Sequence, residues 1–382
     1  MNWEQVRDQF PVTKEYLYFD IANKCSLPLF STDTVRDYID EQQQSGGNKD
    51  KWFKTIADAR GKMARLIGAS TAEIGFTKNT SESLNLAANG LPLKPGDVVL
   101  LNGYEHPNNI YCWLNLERRG VGVKWLPSKD GAVTVEDIAA ICEMTPKIKA
   151  IAIASTNYAP GNRHDLEAIG RFCREKGIYT VVDAVQSVGT VEIDVKKCNI
   201  DILCGSGHKY LFCPHGVGLL YCRHELIKDL VPFVAARSGM AMAAQIEKYE
   251  GIIYKLEFSG DCRQFEIGNY NYLGLTVLDK SLDFLLSIGM ETVEQRILDL
   301  GDRLIVGLNA CGAKVFTPIS KKERAAIICF SHIDTGGLFR YLTENKVVMT
   351  LRRDTIRLSI GIHNNEQDVD RLIELISTFR QC

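Results

Sequence analysis

The sequence lacks the features that mark several broad protein classes. No run approaches the roughly 20 apolar residues that a bilayer span requires. No long run of one charge sign occurs: 45 Lys and Arg stand against 47 Asp and Glu, a net charge of −2. That balance gives no electrostatic footprint for nucleic acid or for a membrane surface. The 12 cysteines include no Cys-x-x-Cys pair, so no structural zinc site or other metal centre is expected. The opening stretch MNWEQVRDQF has neither the basic n-region nor the apolar h-region of a signal peptide. A cytoplasmic location with free thiols is therefore expected. Internal repeats and low-complexity tracts are also missing.

What is present is an ordinary globular composition, 45% hydrophobic and 24% charged, spread over 382 residues. That length favours two domains, at about 150 residues each. Short apolar runs at Val98–Leu101, Ala150–Ser155, Tyr179–Asp183, Asp201–Cys204 and Val217–Tyr221 read as strands. They are apolar at nearly every position, as parallel strands covered on both faces are. Amphipathic helices lie between them, one from about Asp165 to Lys176 with Gly177 as its stop. This alternation predicts an α/β fold with a helix-covered, mostly parallel sheet. Beyond about residue 275 the pattern changes. Long helical stretches (Leu275–Ser287, Glu291–Ala310) precede short strands near Ile327, Val347 and Arg357 and a last amphipathic helix through Val369, Leu372 and Ile376. A boundary between about 255 and 275 is expected, with a smaller α+β domain after it.

Three polar groups fall where such a sheet gathers ligands, beyond the carboxyl ends of its strands. Asp183 ends the run YTVVD, where a poorly solvated carboxylate needs a cationic or hydrogen-bonding partner; it is otherwise a helix cap. Lys209 follows the next strand in SGHKY. Desolvation would lower the proton affinity of its amine and suit it to Schiff-base chemistry; the commoner fate of a lysine is a snorkelling surface chain. In TKNTSESLNLAANGL, Asn79 and Glu82 form a capping-box pattern, and Thr80 and Ser81 offer hydroxyls at a helix start. That is an anion site or simply a capped helix. Taken together, an acid for a pyridine nitrogen, a lysine for an aldehyde and a phosphate cradle are what pyridoxal 5'-phosphate requires.

These residues carry a resemblance to the class V aminotransferase family, fold type I enzymes that use pyridoxal phosphate and include cysteine desulfurases, enzymes of the isopenicillin N epimerase type and cystine C–S lyases. VDAVQSVG resembles the family's Asp-x-x-Gln block, and SGHKYLFCPHGVGLLY its Ser-x-His-Lys block with the following Gly-rich hairpin. TKNTSESLN is similar to its phosphate helix, GYEHPNN to its Glu-His turn, and IRLSIGIHNNEQDVDRL to its C-terminal Arg-x-Ser and Asn signature. The step of 26 residues from Asp183 to Lys209 also fits.

The resemblance implies a fold type I transferase, with a large cofactor-binding domain over 20–260 built on a seven-stranded, mostly parallel sheet. Residues 1–19 and 261–382 would form the small domain. It implies that Lys209 holds the cofactor aldehyde and shuttles the Cα proton, that Asp183 pairs with the ring nitrogen, and that His106 stacks on the ring. Gln186 and Asn157 would lie near the phenolic oxygen, and Thr80, Ser81, Ser206 and His208 would hold the phosphate. Arg357 would bind the substrate α-carboxylate, with Arg353 as the alternative. Asn23 and Cys25 fall in the segment YLYFDIANKCSLPLF, which matches the family's N-terminal active-site stretch; Cys25 either faces substrate or is a buried or loop thiol. Asn269 stands where many relatives have a threonine that contacts phosphate across a homodimer interface.

One departure bears on the reaction. The region NKVVMTLRRDTIRL contains no cysteine, so desulfuration by a thiol nucleophile is disfavoured, and Cys329 in AIICFS reads as core. The resemblance then implies an amino-acid substrate, capture through a Schiff base and Cα deprotonation, followed by β-elimination of the C–S lyase type or by epimerisation. The alternatives are an aminotransferase and, in another class, a non-catalytic relative that keeps the fold as a binding or structural module.

Overall fold

The computed structural model describes residues 1–241 and 256–379; residue 255, the lower limit of the expected boundary, lies outside them. Thirteen strands are described. β1 is Leu17–Tyr18, β2 Ile74–Thr77, β3 Val98–Asn102, β4 Gly122–Leu126, β5 Ile148–Ala154, β6 Tyr179–Asp183, β7 Ile202–Ser206 and β8 Gly218–Cys222. β9 is Lys314–Val315, β10 Ile327–Ser331, β11 Val347–Val348, β12 Thr350–Arg352 and β13 Thr355–Ser359.

Seven strands form the large sheet in the order β2-β8-β7-β6-β5-β3-β4. The pairings from β4 through β7 are parallel, whereas β8 is antiparallel to both its neighbours. The apolar run at 217–221 is therefore a strand, but not a parallel one. A run buried on both faces reads alike in either direction, and only the short hairpin from β7 forces the reversal. β4 escapes a hydrophobicity reading because it lies at the edge and exposes Lys124 and Trp125.

Burial on both faces is visible in the alternation of side chains along each strand. Leu100, Ile151, Ile153, Val182 and Leu203 point into one core, against Ile56 and Met63 of helix Lys49–Leu66 and Ile169 and Cys173 of helix Leu166–Lys176. Val99, Leu101, Ala150, Ala152 and Val181 point into the other, against Leu84 and Ala87 of helix Thr80–Gly90 and Trp113 of helix Asn108–Leu114. Helix Leu166–Lys176 starts at an Asp165 cap and stops at Gly177 in the left-handed region (φ 66°), as its sequence predicts.

The second sheet is antiparallel, β12-β13-β10-β9, and is followed by helix Glu366–Phe379. Near the amino terminus the chain crosses to it. β1 pairs in parallel with β11, and Asp20 bridges Ser359 at the end of β13. The segment after residue 20 is thus laid beside β13 and beside the turn that carries Lys209, where the Cys25 amide donates to the His208 carbonyl (2.9 Å). Among the described residues, no helix is long and apolar enough to cross a membrane.

Candidate active site

The carboxyl ends of β2, β3, β5, β6 and β7 share one edge of the large sheet, and a cavity of about 320 Å³ opens beyond it. Each strand contributes through its last residue or the turn that follows. β2 leads to Thr80 and Ser81, β3 to His106, β5 to Tyr158, β6 ends on Asp183, and β7 leads to His208 and Lys209; all of these line the cavity. Gly218 permits the approach of the first of these turns, because a Cβ there would collide with Thr77 Oγ1 and the Asn79 nitrogen.

Asp183 is 4% exposed. Its carboxylate accepts from the Val185 N–H (3.0 Å) and, among the described residues, from no other donor, so it caps a turn and keeps an oxygen for something else. Burial pushes its pKa up to about 6, against the pull of the Val185 amide and the Lys209 charge. Lys209 shifts the opposite way. Desolvation brings its amine down to about 8, opposed by Asp183 and reinforced by Arg357 and Arg352. An amine near 8 has a sizeable neutral fraction at physiological pH and is a competent nucleophile.

The start of helix Thr80–Gly90 is arranged for an anion. Asn79 accepts from the Glu82 N–H (2.9 Å), while Glu82 reaches the Lys78 N–H rather than that of Asn79, so the box is not the reciprocal one expected. The Thr80 and Ser81 ends face the cavity, and Thr80 Oγ1 is buried with no partner among the described residues. Ser81 Oγ accepts from Asn108 Nδ2 (2.7 Å). Ser206 does not line the cavity. Its hydroxyl lies 2.7 Å from His208 Nδ1 and 3.1 Å from the Val217 carbonyl. With its own proton on the Val217 carbonyl, the hydroxyl accepts from His208 Nδ1–H and fixes the orientation of the ring. Burial and the Lys209 charge hold His208 down at about 4, and its ring stacks on His215 at 4.5 Å.

On the opposite wall, His106 meets Tyr158 edge-on at 5.3 Å. Desolvation, with Lys209, Arg352 and Arg357, holds its pKa below the ordinary histidine value. Arg357 is 1% exposed. It donates to the Tyr158 carbonyl (3.2 Å), lies 3.6 Å from Asp20, and has a buried Nε without a partner. Asn23 lines the cavity and donates to Asp20 (3.1 Å). Gln186 lines it too, with Nε2 on the Ala22 carbonyl (3.1 Å) and Oε1 unpartnered. Asn157 is fully buried and does not line the cavity, and neither side-chain amide atom has a partner among the described residues.

Besides Ser206 and Asn157, three expected positions are not brought to the cavity. Cys25 does not line it; its thiol lies 3.7 Å from the Cys213 carbonyl and burial pushes its pKa up to about 12. Asn269 is exposed and away from the lining. Arg353 is exposed in the turn between β12 and β13, and Arg352 lines the cavity instead. Arg352, Tyr158 and Asn108 were not singled out by motif. For Arg352 the signal was available in principle: once RRDT is read as a tight hairpin, Arg352 and Arg357 fall on one face and Arg353 in the turn.

The sequence profile described as Aminotransferase class-V matches residues 34–372. An uncharacterized aminotransferase of Schizosaccharomyces pombe is 31% identical, over 97% of this chain and 94% of its own length. A probable cysteine desulfurase of Methanothermobacter thermautotrophicus is 30% identical, over 80% of this chain and 75% of its own. The apo structure of a cysteine desulfurase from Thermococcus onnurineus superposes with a TM-score of 0.88 at 25% identity, over 99% of this chain and 98% of that one. A complex of a cystine C–S lyase with cysteine persulfide, at 20% identity and TM-score 0.87 over 97% and 99%, shares the fold.

Proposed function

Because the chain belongs to the class V aminotransferase family of pyridoxal-phosphate enzymes, we propose that it is an amino-acid lyase that expels a sulfur substituent from Cβ. The observation that carries this reading is the convergence of Lys209 and Asp183 on one cavity that, among the described residues, no cysteine lines. Cys329 is buried in β10, its thiol pushed up to about 12 by burial. Among the described residues the wall thus offers no thiol to accept sulfur, as desulfuration needs, which favours release of sulfur by elimination.

The residues present fit the cofactor. Thr80 Oγ1 and Gln186 Oε1 on the cavity lining, and both amide atoms of Asn157 next to the lining residue Tyr158 in sequence, are buried polar atoms without partners among the described residues, and such atoms call for a ligand. When bound, pyridoxal phosphate supplies an aldehyde for the amine and a protonated ring that accepts electrons from Cα. Asp183 would face the ring nitrogen and hold its proton. Thr80, Ser81 and His208 would bind the phosphate, with Ser206 fixing the His208 ring. His106 would cover the ring, and Gln186 and Asn157 would approach its oxygen. Arg357 would clamp the substrate α-carboxylate and present the Cα proton to Lys209 Nζ, which takes it as the Cβ–S bonding pair departs with sulfur. Asn269, exposed on this protomer, would reach only the phosphate of a second copy, so the reading includes a homodimer; sedimentation as a monomer at micromolar concentration would refute that part. The domain division at 20 and 260 is proposed on the same footing.

Incubating the cofactor-loaded protein with L-cystine, L-cysteine, or L-alanine plus a 2-oxo acid tests the reaction. Pyruvate formed with release of sulfur supports the lyase. Net amino exchange would replace it with an aminotransferase, and loss of optical rotation alone with an epimerase. A protein that gains no visible absorbance on adding cofactor would be a non-catalytic module.

A further inference from the structure

The cavity holds two guanidinium groups, and only one is neutralised. Arg357 faces Asp20 at 3.6 Å. Asp20 is itself fixed by the Thr350 hydroxyl and by Asn23. Arg352 has no ion pair among the described residues, lies over the Tyr158 ring at 4.9 Å, and has a buried Nε with no partner. The hairpin explains the pairing. Thr350 opposes Arg357 and Arg352 opposes Thr355, so both arginines project from the same face. Their order in depth also follows: Arg357 is 1% exposed, whereas Arg352 is only half-buried, and both line the cavity. Arg357 thus lies on the inner wall and Arg352 further out, toward the mouth, where a substrate side chain would extend. A guanidinium stacked on an aromatic ring keeps its in-plane donors for a planar anion.

Resting on the proposed function, the geometry points to Arg352 as a specificity residue that binds an acidic group on the substrate side chain, so that amino acids with a second carboxylate or an equivalent oxyanion are preferred. Two bidentate arginine sites spaced along one ligand discriminate strongly, because a substrate lacking the second anion leaves Arg352 unpaired.

The test measures equilibrium binding of dicarboxylates (succinate, glutarate) and monocarboxylates (propionate, butyrate) to the cofactor-loaded protein by calorimetry. None of these ligands has an amine, so no chemistry intervenes. At least one dicarboxylate should bind roughly tenfold to a hundredfold tighter than its monocarboxylate, the range of one charged hydrogen-bonded contact. Arg352→Gln should erase that difference and leave monocarboxylate affinity within about twofold. Equal affinities in the unmodified protein would overturn the proposal without any variant. So would an Arg352→Gln protein that loses affinity for both ligand types by the same factor, since Arg352 would then share the α-carboxylate. Failure of the underlying reading looks different: no cofactor absorbance develops, and the same four titrations on that protein still decide the role of Arg352.

Discussion

The Arg357 guanidinium and the Asp20 carboxylate stand 3.6 Å apart, although they come from opposite ends of the chain. Both are nearly fully buried. The cost of desolvating two charges is offset only while each has the other, and removing one partner leaves an uncompensated buried ion. Asp20→Ala should therefore lower stability by about 3 kcal/mol, read from the shift in urea midpoint. The double variant Asp20→Ala/Arg357→Met should lose less than the sum of the singles by at least about 1 kcal/mol. Strict additivity would mean that the two groups do not interact.

Lys209 and Asp183 should separate covalent chemistry from cofactor retention. Lys209→Ala removes the amine but leaves Asp183 and the phosphate cradle, so turnover should fall by roughly a thousandfold or more while the protein still retains cofactor through gel filtration. Asp183→Ala should impair both, because the ring loses the partner that keeps its nitrogen protonated. Full activity in Asp183→Ala would refute that role.

The depressed proton affinity of Lys209 has a kinetic signature. Capture of an aldehyde needs the neutral amine, and with a pKa near 8 that fraction saturates above about pH 9. An unperturbed lysine would go on gaining to beyond pH 10. The rate of cofactor uptake by the cofactor-free protein should thus rise to about pH 8–9 and then level. It should weaken further below about pH 6, where Asp183 takes up a proton and no longer offers a negative charge to the ring. Stopped-flow absorbance measures both limbs; a rate still climbing tenfold from pH 9 to 10 would contradict the shift.

Beneath the site, Glu105 is buried and accepts from the Ala154 N–H (2.8 Å) and from Asn109 Nδ2 (2.9 Å), while Asn109 in turn receives the Trp113 indole N–H (3.2 Å). Desolvation pushes Glu105 up to about 8. Glu105→Ala would leave two buried donors unsatisfied and loosen the turn that carries His106. A loss of about 2–4 kcal/mol is expected in denaturant unfolding.

Much of this site could be read in sequence because its chemistry sits at strand ends. Asp183 closes a mostly apolar strand and Lys209 follows the next, so the αβ rhythm alone places both at one edge. What escaped depends on contacts between distant segments. Nothing local in FDIANKC says that Asp20 will face Arg357, because that meeting is made by β1 pairing with β11. Cys25 sits in the right segment, yet its backbone N–H and its thiol both turn to the neighbouring loop, on the His208 and Cys213 carbonyls. The direction of β8 was likewise hidden, since a strand buried on both faces carries no periodicity that reveals its sense.

The two arginines at 352 and 353 give the sharpest contrast, since adjacent identical side chains are assigned opposite fates by hairpin register. Arg352 ends β12 and faces the cavity, whereas Arg353 is exposed in the turn with φ at 51°. A non-glycine residue there carries left-handed strain of about 1 kcal/mol, which glycine relieves while adding freedom to the unfolded chain. Arg353→Gly should accordingly shift stability by less than about 0.5 kcal/mol and leave kcat and KM unchanged. Arg352→Gly should raise KM for the preferred substrate by tenfold or more. Equal effects from the two substitutions, measured side by side in steady-state kinetics, would mean that the register assigned to this hairpin does not govern substrate binding.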